Sequence, residues 1–348
     1  LGGPGAVFWM WVSALFGMVT KFSEVTLAVK YRERNEKGDW CGGPMYYIKN
    51  GLGPKWKWLG TVFAVLGAIA AFGIGNISQI NSIASSVNSV AVAFHENAKE
   101  FDTIIGLITG VVIAIFVALV LLGGVKRIGQ VTEKLVPGMA VIYIVCALIV
   151  VFANVSAVPG VFASIFKGAF NPAAVTGGAA GMSIKLAMTK GVGRGVFSNE
   201  SGLGSAPIAA AAAKTKWPAE QGLISMTGTF IDTIIICSMT GLALVLTGVW
   251  QGDTAGAAMT SAAFASAYGF FGSQLLTIAL VLFAFTTILG WNYYGERACI
   301  YLFGNKGVLP YRLIFIALIA SGAFLKLEAI WILADIVNGL MAIPNLIA

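Results

Sequence analysis

Residues 103–125 read TIIGLITGVVIAIFVALVLLGGV, a run of 23 residues without a charged side chain. An α-helix rises about 1.5 Å per residue, so about 20 such residues cross the hydrocarbon core of a bilayer. The run therefore predicts a membrane-spanning helix. The same argument along the whole chain predicts nine spans, at about 6–30, 58–82, 103–125, 136–156, 174–198, 221–250, 273–298, 309–325 and 330–347.

The composition favours a membrane protein over a soluble one. Of 348 residues, 58% are hydrophobic and 11% are charged, whereas charged residues make up roughly a quarter of an ordinary soluble domain. So few charges would not cover a soluble fold of this length. The 43 glycines are typical of closely packed transmembrane helices, in which small residues let backbones approach each other.

Lysine and arginine are unevenly divided between the two ends of the predicted spans. Connections on one side hold fifteen of them, and those on the other side hold three, Lys99, Lys167 and Lys326. Because cation-rich loops stay in the cytoplasm, the first side is predicted to be cytoplasmic and Leu1 to face outward. This topology accounts for the net charge of +7, and we expect no nucleic-acid binding.

The sequence offers little for enzyme chemistry or for a metal centre built from histidine and cysteine. The four cysteines are far apart, and His95, the single histidine, lies in a polar stretch between apolar runs. Neither a phosphate-binding loop nor a Ser-His-Asp pattern is visible. We therefore do not expect an enzyme.

The second predicted span contains amide side chains beside two glycines. In FGIGNISQIN, residues 72–81, Asn76 and Gln79 lie close to Gly73 and Gly75. Polar groups at this depth are expected where a helix lines a cavity or a site, and these amides could bind the carboxylate or amine of a substrate. Hydrogen bonding between helices is an equal alternative.

The fifth predicted span is expected to be a discontinuous helix. Residues 176–207 hold Lys185, Lys190 and Arg194 together with many glycines, and each charge at the centre of a bilayer costs about 2.5–3.5 kcal/mol on insertion scales. A broken helix exposes amides and carbonyls that bind carboxylates and cations. A cytoplasmic re-entrant loop without a ligand is the alternative.

The seventh predicted span places two threonines one turn before a tryptophan. Thr286 and Thr287 offer hydroxyl oxygens, which suit Na⁺ when they are joined by backbone carbonyls. Trp291, one turn beyond Thr287, could close a small apolar pocket. Threonine also hydrogen-bonds its own helix without any function, so the spacing alone leaves both interpretations open.

Two acidic residues lie inside predicted spans. Glu24 is three residues from Lys21, one helical turn away, and this spacing favours a structural ion pair. For Asp232 the candidates are a role with the coupling ion or a proton and a structural role beside the broken helix, of which the structural role is favoured.

Three motifs carry a resemblance to a known family. They are GGPMYY at 42–47, RGVFSNESGLGSAPI at 194–208 and SMTGTFIDT at 225–233. Together with the opening residues 1–11 and GWNYYGER at 290–297, they resemble the alanine or glycine:cation symporters, a family of the amino acid-polyamine-organocation superfamily. The resemblance covers essentially the whole chain.

The resemblance implies an all-α integral membrane protein with a leucine-transporter-like fold of two inverted five-helix repeats. Of the eleven helices in such proteins, the nine spans would be the third to the eleventh, with residues 1–156 in the first repeat and 157–348 in the second. The family's Gly-Thr-Gly-Asn substrate motif would lie before Leu1. We therefore expect a chain cut at both ends that lacks half of the site. Residues 197–205 are interpreted as a helix half near the cytoplasmic gate.

The resemblance also implies sodium-coupled symport of alanine or glycine by a multi-pass protein of the cell membrane. Na⁺ would be co-transported, with Thr286 and Thr287 as its ligands. A proton-coupled amino-acid permease of the same fold is the first alternative, and a channel or an intramembrane enzyme is a more distant one. The implied substrate-binding residues are Gly75, Asn76, Gln79, Met182, Ser183 and Trp291.

Overall fold

The structure is a computed structural model that describes residues 2–170, 184–252, 256–323 and 327–348. Helices dominate the described chain, joined by short connections. The α-helices are α1 (Gly5–Lys30), α2 (Pro44–Gly51), α3 (Lys57–Phe72), α4 (Ser78–Phe94), α5 (Asp102–Leu122), α6 (Gly124–Ala153), α7 (Val158–Phe170), α8 (Ile184–Asn199), α9 (Ala206–Ala210), α10 (Pro218–Thr229), α11 (Ser238–Thr247), α12 (Ala257–Tyr268), α13 (Phe270–Phe303), α14 (Val308–Gly322) and α15 (Leu327–Ile347).

Six helical stretches of the described chain are long and apolar enough to cross a membrane: Gly5–Lys30, Pro54–Phe94, Glu96–Leu122, Gly124–Ala153, Pro218–Thr247 and Gln274–Gly322. Two shorter apolar helices cover Val155–Phe170 and Asp335–Ile347. The predicted seventh span falls on α13 and most of the eighth on α14, and the stretch Gln274–Gly322 covers α14 and all but the first four residues of α13. The fold is thus that of an all-α membrane protein, and the number of nine spans stays a prediction.

The connections contain more structure than the sequence indicated. The connection between the first and second predicted spans contains α2 and a two-stranded antiparallel hairpin. The hairpin consists of β1 (Glu33–Arg34) and β2 (Trp40–Cys41), and Glu33 lies opposite Cys41. The predicted polar connection at 251–273 contains α12, whose alanine-rich sequence favours a helix. Neither α7 nor α12 is long enough to satisfy the length rule for a span.

Two membrane helices contain π-helical segments. One covers Gly73–Ile77, between α3 and α4, and the other covers Phe230–Cys237, between α10 and α11. The glycines of the second predicted span therefore do not interrupt the helix but accompany a wider turn. Such turns are rare and occur frequently at functional sites.

The chain divides into two compact units. Unit 1 comprises Leu1–Thr20, Ala140–Ser201 and Met226–Ala279, and unit 2 comprises Lys21–Met139, Gly202–Ser225 and Leu280–Ala348. Each is described by itself. The division into two inverted repeats at residue 156 stays a prediction.

In unit 1, glycine permits the close approach of α1 to α7 and α8. A β-carbon added at Gly5 would overlap the backbone of Gly168, and one at Gly191 would lie 2.8 Å from Cβ of Trp9. Small residues at helix crossings are the usual solution in lipid, where association depends on packing. An apolar cluster around Ile165 and Leu242 lies beside these contacts.

The family-like segment 194–208 contains a sharp turn. Helix α8 ends at Asn199, and α9 begins at Ala206. Between them Glu200 has a φ of 57°, and Gly202 and Gly204 have φ values of 85° and 80°. These left-handed backbone conformations suit glycine and cost energy at Glu200. The interpretation of 197–205 as part of a helix is therefore wrong for the residues after Asn199.

A buried polar network in unit 2 binds the backbone of this turn at Gly202. The Glu24 carboxylate accepts hydrogen bonds from the Gly202 amide at 3.3 Å and from Asn345 Nδ2 at 2.9 Å. Asn345 Nδ2 also donates to the Gly202 carbonyl at 2.9 Å, and Asn345 Oδ1 accepts from the Tyr47 hydroxyl. Lys21 Nζ lies 3.6 Å from Glu24 Oε1, with both side chains buried, so the predicted ion pair is confirmed. The network thus links α1, α2 and α15 to the turn.

We predict that Lys21→Met lowers the free energy of unfolding by about 3–5 kcal/mol, because it leaves the buried Glu24 carboxylate without its cation. Lys30→Met is the matched control, since Lys30 is exposed on the same helix. Adding Glu24→Gln to Lys21→Met should recover most of the loss. The free energy of unfolding is measured for the three purified variants in detergent. Equal unfolding curves for the Lys21 and Lys30 variants would contradict the prediction.

Candidate functional site

The structure brings Gly75 and Trp291 into direct contact within unit 2. A β-carbon added at Gly75 would overlap Cβ and the indole ring of Trp291. The indole therefore packs on bare backbone of the π-helical segment, and Trp291 is only 3% exposed. Two residues predicted from separate spans thus meet at one place, where the π segment crosses α13.

Asn76 is fully buried beside this contact. Its Nδ2 donates to the Phe315 carbonyl of α14 at 2.7 Å, so the amide nitrogen links two helices. Its Oδ1 accepts no hydrogen bond from any residue that the structure describes. The two interpretations of Asn76 therefore apply to different atoms: the nitrogen holds α14, and the oxygen is available to a ligand.

The Gln79 side chain hydrogen-bonds the backbone of the π segment. Its Nε2 donates to the Ile74 carbonyl at 3.0 Å, and Ser78 Oγ donates to the same carbonyl at 2.5 Å. The wider turn disturbs the usual backbone pairing, and these side chains satisfy the Ile74 oxygen. This local contact orients Gln79, and its predicted contact with a substrate stays a prediction.

Thr286 and Thr287 lie on α13 within two turns before Trp291. Both hydroxyls are 2.9 Å from the Phe283 carbonyl, to which they donate. Thr286 Oγ1 also lies 3.9 Å from Sδ of Met139. Each hydroxyl has one hydrogen and two lone pairs, so donation to the backbone leaves the oxygen able to accept a cation. The geometry is compatible with the predicted sodium site and with simple bonding to the helix.

Asn292 is a buried polar residue that the sequence analysis did not single out. It is fully buried, and neither Nδ2 nor Oδ1 has a hydrogen-bond partner among the described residues. Three residues further along α13, Gly295 lies against the Tyr311 hydroxyl of α14. A buried amide without partners costs about 1–3 kcal/mol per group, which water or a ligand would offset.

Asp232 belongs to a polar cluster on the second π segment, in unit 1. Its Oδ1 accepts from Ser198 Oγ at 2.9 Å and its Oδ2 from Thr233 Oγ1 at 2.9 Å. Asn199 Nδ2 donates to the Thr233 hydroxyl at 3.0 Å. These bonds join α8 to the π segment and agree with the structural role that the sequence favoured.

The remaining predicted ligands lie outside the described residues. Met182 and Ser183 belong to 171–183, as does the glycine run of the fifth predicted span. In the residues that are described, no three His, Cys, Asp or Glu side chains gather as a metal site.

Comparison with known proteins gives one consistent result. The model of the sodium:alanine symporter family matches residues 1–348. The chain is 52% identical to an uncharacterised transporter of Haemophilus influenzae and 50% identical to the sodium/alanine symporter AgcS of Methanococcus maripaludis, in each case over the whole chain and 74% of the relative. It is 42% identical to a probable sodium/glutamine symporter, GlnT, of Bacillus subtilis, over the whole chain and 70% of that protein.

We predict that Gly75→Ala abolishes most solute uptake and destabilises the protein by about 1–3 kcal/mol, because the added methyl group must separate the π segment from Trp291. Gly73→Ala is the matched control: it lies in the same π segment, and its β-carbon would meet nothing within 4 Å. Uptake and thermal unfolding of both variants test the contact. Equal effects of the two substitutions would show that the close approach is unimportant.

Proposed function

From the premise that the chain belongs to the sodium:alanine symporter family, we propose that it uses the sodium gradient to carry alanine or glycine into the cell. The family is one of transporters rather than enzymes, and the apolar helices fit a multi-pass protein of the plasma membrane. To this family assignment the proposal adds the identity of the substrate and of the coupling ion.

The contact of Trp291 with Gly75 carries the proposal. An indole ring packed on bare backbone forms a rigid wall, beside which the free Oδ1 of Asn76 is buried. A site of this kind suits a solute with a polar head and a very small side chain. Size selection in an apolar pocket is worth about 1–3 kcal/mol per methylene, so the preference for alanine over larger residues would be real but limited.

The remaining proposed contacts complete the site. Asn76 and Gln79 would face the substrate from the π segment and its following turn, and Met182 with Ser183 would contribute from the fifth predicted span. The substrate's carboxylate and amine are the groups that amides and exposed peptide units recognise. No part of this set provides a formal charge, so a neutral amino acid is the matching substrate class.

Na⁺ would bind at Thr286 and Thr287 together with backbone carbonyls. The donation of both hydroxyls to Phe283 fixes the direction of the hydroxyl oxygens and supports this assignment. Na⁺ couples to transport only if it binds one conformation of the protein more tightly than the other. The proposed mechanism is alternating access, in which one bundle of helices rocks against a scaffold around the central site.

A proton-coupled permease of the same fold is the principal rival. Uptake of labelled alanine into proteoliposomes, with Na⁺ or with an impermeant cation at a fixed pH, separates the two. We expect uptake to require inward Na⁺ gradients and glycine to compete better than glutamine. Equal uptake without Na⁺ would exclude sodium coupling, and stronger competition by glutamine would replace the proposed substrate.

Thr287→Ala is predicted to raise the Na⁺ concentration for half-maximal uptake at least about tenfold, since a lost contact to a charged group costs roughly 1.5–3 kcal/mol. Thr287→Ser retains the hydroxyl and is the matched control, which should stay within about twofold of the unchanged protein. Sodium titration of alanine uptake provides the measurement. A normal Na⁺ dependence in Thr287→Ala would remove the residue from the ion site.

A further inference from the structure

A cavity of about 500 Å³ lies in unit 2, away from the proposed transport site. The hairpin, α2, the start of α3 and the end of α13 surround it, and the rings of Tyr46 and Tyr301 meet edge to face beside it, with centroids 5.3 Å apart. Its first lining residue on α13, Ile300, is nine residues after Trp291. This separation is about 14 Å along a helix, so the cavity is a different site.

The carboxylates of the cavity already have partners. Lys49 Nζ bonds both Glu33 oxygens, at 2.8 and 3.0 Å, and Asn50 Nδ2 donates to Glu33 Oε1 at 2.8 Å. Burial alone would raise the pKa of Glu33, but these hydrogen bonds and the Lys49 charge lower it, so the group is ionised at neutral pH. Glu36 accepts from Asn305 Nδ2 at 2.9 Å.

Two cations of the cavity have no such partner. Among the described residues, no carboxylate pairs with Arg34 or with Lys57, which both line the cavity. The Arg34 guanidinium stacks on the Trp40 ring, with its carbon 4.6 Å from the ring centroid. Stacking occupies the face of the guanidinium and leaves its N–H groups in the plane free to donate. The two residues therefore present unpaired donors for an anion. Lys49 compensates Glu33, and since Glu36 has only a neutral amide partner, three cations face two acids and the lining keeps a net charge of +1.

Exposed aromatic residues are next in sequence to lining residues of the cavity, and we call them its aromatic rim. Trp56 and Trp58 flank Lys57 and are 41% and 59% exposed, and Phe303, which precedes the lining residue Gly304, is 69% exposed. In membrane proteins, aromatic side chains gather at the level of the lipid headgroups. We therefore expect the cavity to lie near that level, on the side that the lysine and arginine distribution predicts to be cytoplasmic, where anionic lipids are concentrated.

We propose that this cavity binds the phosphate headgroup of an anionic phospholipid, with Arg34 and Lys57 as its ligands and the acyl chains against Trp58 and Phe303. Arg34 would bind phosphate oxygens through its planar fork, and Lys57 would act as a point charge. A soluble phosphate compound would use the same two cations but would gain nothing from the aromatic rim. The rim is the reason for choosing the lipid.

The test measures thermal unfolding of the purified protein in a neutral detergent as dihexanoyl phosphatidylglycerol is added. Dihexanoyl phosphatidylcholine and inorganic phosphate serve as the two comparison ligands. We expect saturable stabilisation by phosphatidylglycerol alone. Equal stabilisation by phosphatidylcholine would show a general lipid effect, and equal stabilisation by inorganic phosphate would show a site for soluble anions; either result overturns the proposal.

The double variant Arg34→Gln with Lys57→Gln should bind phosphatidylglycerol about thirtyfold more weakly, which corresponds to about 2 kcal/mol for two basic residues. Lys37→Gln with Lys55→Gln is the matched control, because it removes the same charge from the same two segments outside the cavity lining. Equal weakening in both doubles would indicate long-range electrostatics and would refute the site. All four residues are exposed, so both variants should fold.

Discussion

A polar group in the hydrocarbon region has no water to bond, so it needs a partner inside the protein or a ligand that takes the place of water. This constraint divides the buried polar residues of unit 2 into two kinds. Asn345 donates to Glu24 and to the Gly202 carbonyl, Glu24 accepts from the Gly202 amide, and these bonds hold the turn after α8. Asn76 Oδ1 and the whole Asn292 amide have no partner in the described chain. The first kind maintains the fold, and the second kind indicates where a solute or water would be bound.

The π segment at Gly73–Ile77 shows how backbone geometry prepares such a place. Its wider turn needs extra donors for the Ile74 carbonyl, and the next turn of the chain supplies them from Ser78 and Gln79. Gly75 exposes bare backbone, onto which Trp291 packs. The π segment therefore both permits the close contact between helices and buries Asn76 beside that contact. Among the polar residues that the sequence suggests as ligands, some shape the site, and others are left to contact the bound solute.

The sequence predicted those features that follow from local spacing. Apolar runs marked the long helices, and the three-residue separation of Lys21 and Glu24 predicted their ion pair. The bonds of Asn345 to Glu24 and to Gly202 could not be predicted in this way, because they join residues 321 and 143 positions apart. Arg297 is one of the fifteen cations assigned to the predicted cytoplasmic connections, yet it is buried in α13, where Nη1 donates to Sγ of Cys41 at 3.2 Å. Burial of that kind depends on packing between distant segments, which neither hydropathy nor charge counting registers.

The threonine pair shows why spacing could not decide between a ligand and a bond to the helix. The same spacing allows a threonine hydroxyl to bind a cation or to hydrogen-bond its own helix. In the structure both hydroxyls lie 2.9 Å from the Phe283 carbonyl, and that of Thr286 also lies 3.1 Å from the Leu282 carbonyl. Donation uses the hydrogen and leaves the lone pairs, and it fixes the rotamer that sets their direction. A cation needs oxygens held in place beforehand, since ordering a free side chain upon binding would weaken the affinity. Bonding to the helix therefore does not argue against the proposed role of these hydroxyls in binding Na⁺.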